Sequence, residues 1–523
     1  MVGKLSWWLL TSVSLCFASD IGYERLFESS VDEVNRQCVK IDPLLDFLKG
    51  SFLLPSIAQY GIGKEVFRGT FDGYGKLQRF EFLDGNLCTQ SKMLRSLFYN
   101  SSVEQNTIVP ELLFLDSVPS NNYSGVEKFF EGPNDNNMVN SYELGGKVRM
   151  LSDSPLFLEI DLHTLEVQDT FMYNDMMVTG LPYGSAHPIK RSSNGCMINV
   201  ANWQSINDRR HLSRAGVSIY ESCPDLPNER TELNAYECDF NPYLHSFGLT
   251  ENFAIIPHQN TYVDLAEYLR NGTNFMDAYM NVERDEFLMQ IVPLNGEEIV
   301  TFTFHEKLYY VHVVNAFEFE DGVVIDMGTF DSNPFAGGVV SLEWQRNRYQ
   351  RNTETNNGVI KRYVMYTSGD HKGKYDVLQL SLSAKSTEFP NINHDYASFK
   401  YCYFYAVEWF HDSKNYGSMA IVKYTLCDSK SQSHSPHVDA VDNAQLYWNK
   451  ENYYPSEPTF VPSDTPQGED DGVLIFTALD GVSMESILVV VDARTMDTLQ
   501  EIKIPLRMTF TTHGQWYPDV VGS

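Results

Sequence analysis

Positive charge is scarce in this 523-residue chain: Lys and Arg total 39 against 69 Asp and Glu, a formal net charge of -30. Such a surface repels nucleic acid and anionic membranes at long range, which argues against a polyanionic partner and suits a well-solvated secreted protein. Long apolar runs are missing beyond the N-terminus, where none reaches the roughly 18 continuous residues of a transmembrane helix, although peripheral membrane contact stays open. No long polar or Pro-rich linker interrupts the chain, so residues 20–523 read as a single domain. CxxC pairs do not occur, which removes the common structural zinc patterns. WD and kelch signatures are absent, and periodicity therefore leaves the number of repeats open. Helical spacing is confined to residues 31–49, 262–283 and, more weakly, 438–449.

What is present begins with a leader. Lys4 precedes an apolar run over residues 5–18 that holds Trp7, Trp8, Leu9 and Leu10, and Ser19 and Asp20 follow. That is the shape of a signal peptide over residues 1–19, and it predicts secretion or residence in the endoplasmic reticulum lumen. Glycosylation sequons at Asn100, Asn122 and Asn271 agree with that address. Of the eight cysteines, Cys16 leaves with the leader. The remaining number is odd, so at least one thiol stays unpaired within the chain. Cys223 and Cys238 close a short loop and form the first expected disulfide.

With 43% hydrophobic and 13% aromatic residues the chain can bury a large core, and Val, Ile, Tyr, Phe and Thr recur in short runs. Residues 309–317 and 323–327 flank Glu320-Asp321-Gly322 as a hairpin, and residues 473–479 and 487–491 form another pair. Polar, turn-rich stretches at 429–435 and 463–471 read as surface loops. Strand pairs over nearly the whole chain imply an all-β fold, for which a β-propeller is the usual single-domain solution at this length.

Among the 13 histidines four stand out. His187 follows a Gly-Ser turn, His245 leads into a strand, His312 lies inside a strongly β run, and His513 sits at the C-terminal end of one. The step from His187 to His245 is close in length to that from His245 to His312, while the step to His513 is about three times longer, as if ligands came from different repeats. Neutral imidazoles converging from separate strands suit iron, copper, nickel or zinc.

The text around these residues resembles the carotenoid-cleavage oxygenase family, which includes proteins like the retinal pigment epithelial membrane protein. The resemblance rests on His245-Ser246-Phe247-Gly248-Leu249-Thr250-Glu251-Asn252, on His312 with Asn315-Ala316-Phe317-Glu318, and on His513-Gly514-Gln515-Trp516. Two further blocks match, Glu388-Phe389-Pro390-Asn391-Ile392-Asn393 and Ser456-Glu457-Pro458-Thr459-Phe460-Val461-Pro462. The family's Arg-Asn-Gly-Pro and Pro-Asp-Pro-Cys-Lys signatures are missing, although Phe71-Asp72-Gly73 resembles the segment after the first.

This resemblance implies a seven-bladed propeller under a dome of helices and loops, with iron(II) on the axis held by His187, His245, His312 and His513. It further implies that Glu388 orients His312, that Glu457 orients His513, and that Asp153, a shorter carboxylate than usual, supports His245. The implied reaction is oxidative cleavage of a conjugated double bond in an apolar polyene, with dioxygen as co-substrate. Rivals on the same fold are isomerohydrolysis of a retinoid ester and a secreted propeller that binds an apolar ligand without turnover. Phe247, Phe253, Phe317 and Trp516 either line the substrate tunnel or pack the blades together.

Overall fold

The computed structural model describes residues 20–518 apart from 121–122, 125, 129–132, 176–182, 205–214, 273, 337, 428–435 and 437–445. The leader, the sequon at Asn122 and the loop expected at 429–435 lie outside the described residues. Among the latter, seven antiparallel sheets of four or five strands succeed one another along the chain, equal in number to the blades that the resemblance implies. Most strands are buried on both faces, Gly50–Gln59 and Tyr74–Leu83 almost throughout, the second even though it carries Lys76, Gln78, Arg79 and Glu81.

The propeller closes on itself in its first sheet. There Gly50–Gln59 pairs with Tyr74–Leu83 on one side and, through Gly50 to Leu53, with the last strand, Gln515–Pro518, on the other. Chain-distant segments thus share one ladder, and its core joins residues of the first, second, sixth and seventh sheets. The hairpins expected around residues 320–322 and 480–481 form, as Tyr309–Phe319 with Gly322–Phe330 and as Gly472–Asp480 with Ser486–Asp492.

Among the fully described elements, helices are few and short, at Leu97–Gln105, Leu265–Asn271, Leu342–Arg346 and Arg348–Thr353. With two small sheets, Gly61–Ile62/Glu65–Phe67/Ser117–Val118 and Thr261–Val263/Tyr279–Asn281, they occupy long excursions between strands, most of them within one sheet; of these elements Leu97–Gln105 and Ser117–Val118 lie in the connection from the first blade to the second. Ser96, Asp264 and Ser341 cap three of them, each accepting from a backbone N–H of the first turn. No described helix is long and apolar enough to cross a membrane.

Three expectations need correction. Residues 31–49 do not form a helix: Val34–Lys40 is the outer strand of the first sheet, followed by a 3-10 turn at Pro43–Leu45. Its exposure along nearly the whole length removes the alternation that marks a strand, and pairing with Asn86–Met93, locked by Cys38–Cys88, overrides local preference. At 438–449, the described residues include a strand, Leu446–Trp448; 438–445 lie outside the description.

Cys223 pairs with Cys196, not with Cys238. Ala215–Ser222 runs antiparallel to Thr231–Cys238 with Ala215 opposite Cys238, so Cys223 and Cys238 lie at opposite ends of the ladder, roughly 25 Å apart at the usual strand rise. Met197, by contrast, is opposite Ser222 and brings Cys196 beside Cys223. A third disulfide joins Cys402 and Cys427. Cys238 is the free thiol that the odd count requires; its Sγ donates to the Phe240 carbonyl at 3.0 Å, and burial pushes its pKa up to about 12, so it is unreactive.

Candidate metal centre

Each of the seven sheets delivers one polar side chain to a common point. In chain order of the sheets these are His513, Asp153, His187, His245, His312, Glu388 and Glu457. Six of them lie on or within three residues of an edge strand of their sheet. Asp153 instead occupies the loop between Lys147–Leu151 and Phe157–Ile160. His513 precedes the closing strand Gln515–Pro518 and does not end one.

Local irregularities aim these groups. The ladder of Tyr309–Phe319 slips between Tyr310 and Val313, turning His312 inward at a bulge. Ser386–Asn391 slips after Glu388, and the next residue, Phe389, adopts a left-handed φ of 53°. A bulky residue held there is strained, and its ring lies 5.1 Å from that of His312 and 5.4 Å from that of His513. Room for the Glu388 carboxylate comes from Gly328, where an added Cβ would stand 2.6 Å from Oε1.

The four imidazoles gather so that one nitrogen of each lies within 4.8 Å of the others. His187 and His245 approach through Nε2 at 3.1 Å, as do His312 and His513. Three of the four donate from Nδ1 to a carboxylate. His312 reaches Glu388 Oε2 at 2.5 Å, His245 reaches Asp153 Oδ2 at 3.0 Å, and His513 reaches Glu457 Oε2 at 3.1 Å. With the proton fixed on Nδ1, each Nε2 presents a bare lone pair to the centre.

Burial, reinforced by the neighbouring imidazoles, holds His187 and His312 well below the usual histidine range. They are neutral, as metal ligands must be. Without a cation at the centre, burial and then Glu457 push Glu388 up to about 8, and a divalent ion among the imidazoles favours its charged form. Lone pairs facing each other at 3.1 Å repel, and a cation between them removes the repulsion. The donor set therefore fits a divalent transition metal, with three carboxylates behind the imidazoles to balance its charge.

Asp153 also accepts from the Tyr243 hydroxyl at 2.7 Å and from the Ala186 backbone N–H at 3.0 Å. It therefore steadies both His245 and the segment that carries His187. Tyr243 was not legible as a site residue, because one tyrosine two positions before a histidine carries no signal of its own.

A cavity of about 590 Å³ adjoins the cluster, reaching His245, His312 and His513. Its walls are largely aromatic and aliphatic side chains of the long excursions between strands, among them Phe71, Phe114, Phe275 and Phe335, with Phe389 next to the histidines. Phe247, Phe253, Phe317 and Trp516 are not among the lining residues; they pack in the cores of the sheets. The ligand motifs bracket these four in sequence, but strand alternation turns them away from the axis.

Comparison with known proteins follows the same lines. The model of the family described as retinal pigment epithelial membrane protein matches residues 46–518. The β,β-carotene 15,15'-dioxygenase of Gallus gallus is 24% identical over 90% of this chain and 93% of its own length. The chloroplastic carotenoid cleavage dioxygenase 8 of Arabidopsis thaliana is 23% identical over 90% and 82%. Among solved structures, a variant of the Synechocystis apocarotenoid oxygenase superposes with a TM-score of 0.78 at 19% identity, covering 95% of this chain and 98% of that one. A cobalt-substituted form of that oxygenase gives 0.79 at 18% identity with the same coverage.

Proposed function

The chain belongs to the retinal pigment epithelial membrane protein family, and from that premise we propose that it is a non-haem iron(II) dioxygenase that cleaves a conjugated carbon–carbon double bond of a carotenoid, apocarotenoid or related apolar polyene into two carbonyl products. The observation that carries this reading is the convergence of four imidazoles, three of them braced by carboxylates, on the wall of a largely apolar cavity.

His187, His245, His312 and His513 would hold the metal, and four histidines leave coordination positions open. Iron(II) held there would supply the activation of dioxygen, while the electrons that reduce the dioxygen come from the double bond that is cut, each carbonyl product taking one oxygen atom. Asp153, Glu388 and Glu457 keep the Nδ1 protons of His245, His312 and His513 away from the metal side and fix the ring directions. The cavity takes an apolar chain out of water and holds one double bond beside the histidines. Phe389, pinned in its left-handed conformation between two ligand rings, limits how close the chain approaches.

The test is conversion of a polyene panel by iron-loaded protein in air and under nitrogen, with His312→Ala as control. Oxygen-dependent formation of two carbonyl fragments, lost in the variant, supports the reading. Conversion without oxygen that keeps the carbon skeleton would replace it by ester isomerohydrolysis, and binding without conversion by a carrier role.

The same reading places the protein in the secretory pathway, with residues 1–19 removed and the remainder acting as one domain. Three disulfides support an oxidising compartment, and Asn100 is exposed on its helix, open to a glycan. N-terminal sequencing and a glycosidase mobility shift of protein from culture medium decide the point, and retention of residues 1–19 in an unglycosylated intracellular product would reverse it.

A further inference from the structure

The segment from Asp20 to Ser30 precedes the first sheet and is held by distant parts of the chain. The Asp20 carboxylate accepts from Arg351 Nη2 at 3.0 Å, with both side chains fully buried. The Ile21 carbonyl accepts from the Tyr454 hydroxyl of the seventh sheet at 2.6 Å, and the Phe27 carbonyl from Arg346 Nε at 3.2 Å. Arg507 ties the far end: Nη1 pairs with the Glu28 carboxylate at 3.1 Å, Nη2 donates to the Glu28 and Ser29 carbonyls, and the Arg507 carbonyl accepts from the Ser30 hydroxyl. In a chain with few cations, three arginines hold this one segment.

The segment reaches the cavity in two ways. Tyr23 belongs to the wall itself, and its hydroxyl donates to Gln345 Oε1 at 3.3 Å. Phe27 is not a wall residue. It is fully buried behind one, Phe510, with the two rings stacked at 5.3 Å and 23°. The Phe510 backbone is fixed from both sides, its N–H donating to the Leu26 carbonyl and its carbonyl accepting from the Ile57 N–H, each at 2.8 Å. The direction of the ring is left to its neighbours. Besides Phe27 these are Phe389 at 6.3 Å and Phe71 at 6.2 Å, both in the wall. Phe389 is the ring beside His312 and His513, so a row of aromatic contacts runs from residue 27 to the histidines.

Phe510 is only half-buried and lines the cavity. A ring in that position swings unless its other face is packed, and a wall ring ordered before the ligand arrives spares the binding step that cost. Resting on the cleavage reading above, we propose that Phe27 is a positioning residue of the site: from behind the wall it holds the Phe510 ring, and through it Phe389, where a polyene packs beside the histidines. Substrate affinity then depends on an N-terminal segment that carries none of the metal ligands. Metal affinity does not, because His513 keeps Glu457 and the Val139 carbonyl to which its N–H donates.

The experiment is equilibrium binding of an all-trans hydrocarbon polyene to the cobalt(II)-loaded protein under nitrogen, so that nothing turns over, with Phe27→Leu, Phe510→Leu and the double variant. Phe27→Leu should weaken the polyene roughly two- to tenfold, the range of one aromatic pair, and leave cobalt(II) affinity, read by chelator competition, within about twofold. In the Phe510→Leu background the same change should cost less than about twofold, because the ring through which Phe27 acts is gone. Melting curves show whether each variant is folded. Arg346→Met, at an exposed position outside the cavity wall, frees the Phe27 carbonyl without touching the core, and it should weaken the polyene at least about twofold in the wild-type background alone. Unchanged polyene affinity in both Phe27→Leu and Arg346→Met overturns the proposal, as does a full loss from Phe27→Leu that persists without Phe510. A fall in cobalt(II) affinity equal to the fall in polyene affinity overturns it too, since the segment would then act on His513 and not on the wall. If the wild type binds no polyene, it is the polyene-cleavage reading itself that has failed, and this inference falls with it.

Discussion

Replacing Glu388 by Gln separates charge from shape at the support of His312. The carboxylate accepts from His312 Nδ1 at 2.5 Å and from the Phe389 backbone N–H at 3.0 Å, both on Oε2, while buried Oε1 has no partner among the described residues. In the variant the amide oxygen can take the place of Oε2, so the imidazole keeps its tautomer. What is lost is charge assistance, because a hydrogen bond to a charged group contributes about 1.5–3 kcal/mol and a neutral one about 0.5–1.5 kcal/mol. The difference, ~1–1.5 kcal/mol, corresponds to roughly a five- to fifteenfold weaker hold on the metal. The new NH2 group then stands buried where Oε1 had no partner, which moves the expectation to the 10- to 100-fold range seen when such supports are changed. Competition for iron(II) or cobalt(II) against a chelator of known affinity, under nitrogen, reads this directly, with thermal melting to show that the fold is kept. Wild-type affinity in Glu388→Gln would refute the orienting role, and full metal occupancy in His312→Ala would refute the site.

Gly328→Ala should resemble Glu388→Gln, since the added methyl stands 2.6 Å from Oε1 and must push the carboxylate off His312; chelator competition checks it, and unchanged affinity would show that Gly328 makes no room there. Asp72 is buried, accepts from the backbone N–H groups of Phe114 and Leu115, and is pushed up to about 7 by that burial, so it folds protonated and ionises on unfolding near its ordinary value. Its contribution to stability is complete below about pH 4 and is lost as pH rises through 7, by at most ~1.4 kcal/mol per pH unit. Asp72→Asn does not titrate, so its urea midpoint should gain on the wild type across that window; a gap independent of pH would refute a protonated Asp72. Replacing Cys196 and Cys223 together by Ser opens a loop with a sequence separation of 27 and should cost about 3–4 kcal/mol in denaturant unfolding, whereas no loss would mean that the pair is not formed.

Much of the site was legible because a metal centre constrains short stretches of sequence. His245 and His312 each sit in a run whose neighbours pack at the edge of a sheet, and Glu388 and Glu457 lie in equally distinctive blocks, so all four could be named from local text. The cavity was not legible in the same way. Its walls come from long excursions of several sheets, Phe114 between the first and second, Phe275 within the fourth and Phe335 within the fifth, which meet only after the propeller closes, and no local pattern links residues that far apart. The exposed outer strand Val34–Lys40 was misread for a related reason: with almost every residue facing solvent it lacks the alternation from which strands are recognised, and its pairing and disulfide are decided elsewhere in the chain.

The shorter carboxylate at position 153 has a consequence that separates it from the two glutamates. Glu457 accepts from His513 Nδ1 and from the N–H of Gly514, the residue after that same ligand, so it serves one imidazole. Asp153 accepts from His245 Nδ1 but also from the N–H of Ala186, immediately before His187, and Tyr243 holds it from the third side. Ser185 strengthens the link, accepting from the His187 N–H at 3.0 Å and donating to the His245 carbonyl at 2.6 Å. For His187 no carboxylate contact is seen among the described residues, and this shared anchor stands in for one. Removing Asp153 should therefore loosen two of the four ligands, where removing Glu457 loosens one. Asp153→Ala is expected to weaken metal binding at least about tenfold more than Glu457→Ala, since a second released imidazole forfeits a further increment of the size found for such supports. Chelator competition on both variants, each shown folded by its melting curve, decides between them. A loss in Asp153→Ala no greater than in Glu457→Ala would mean that the Ala186 contact does nothing for His187, and that its ring is fixed by packing alone.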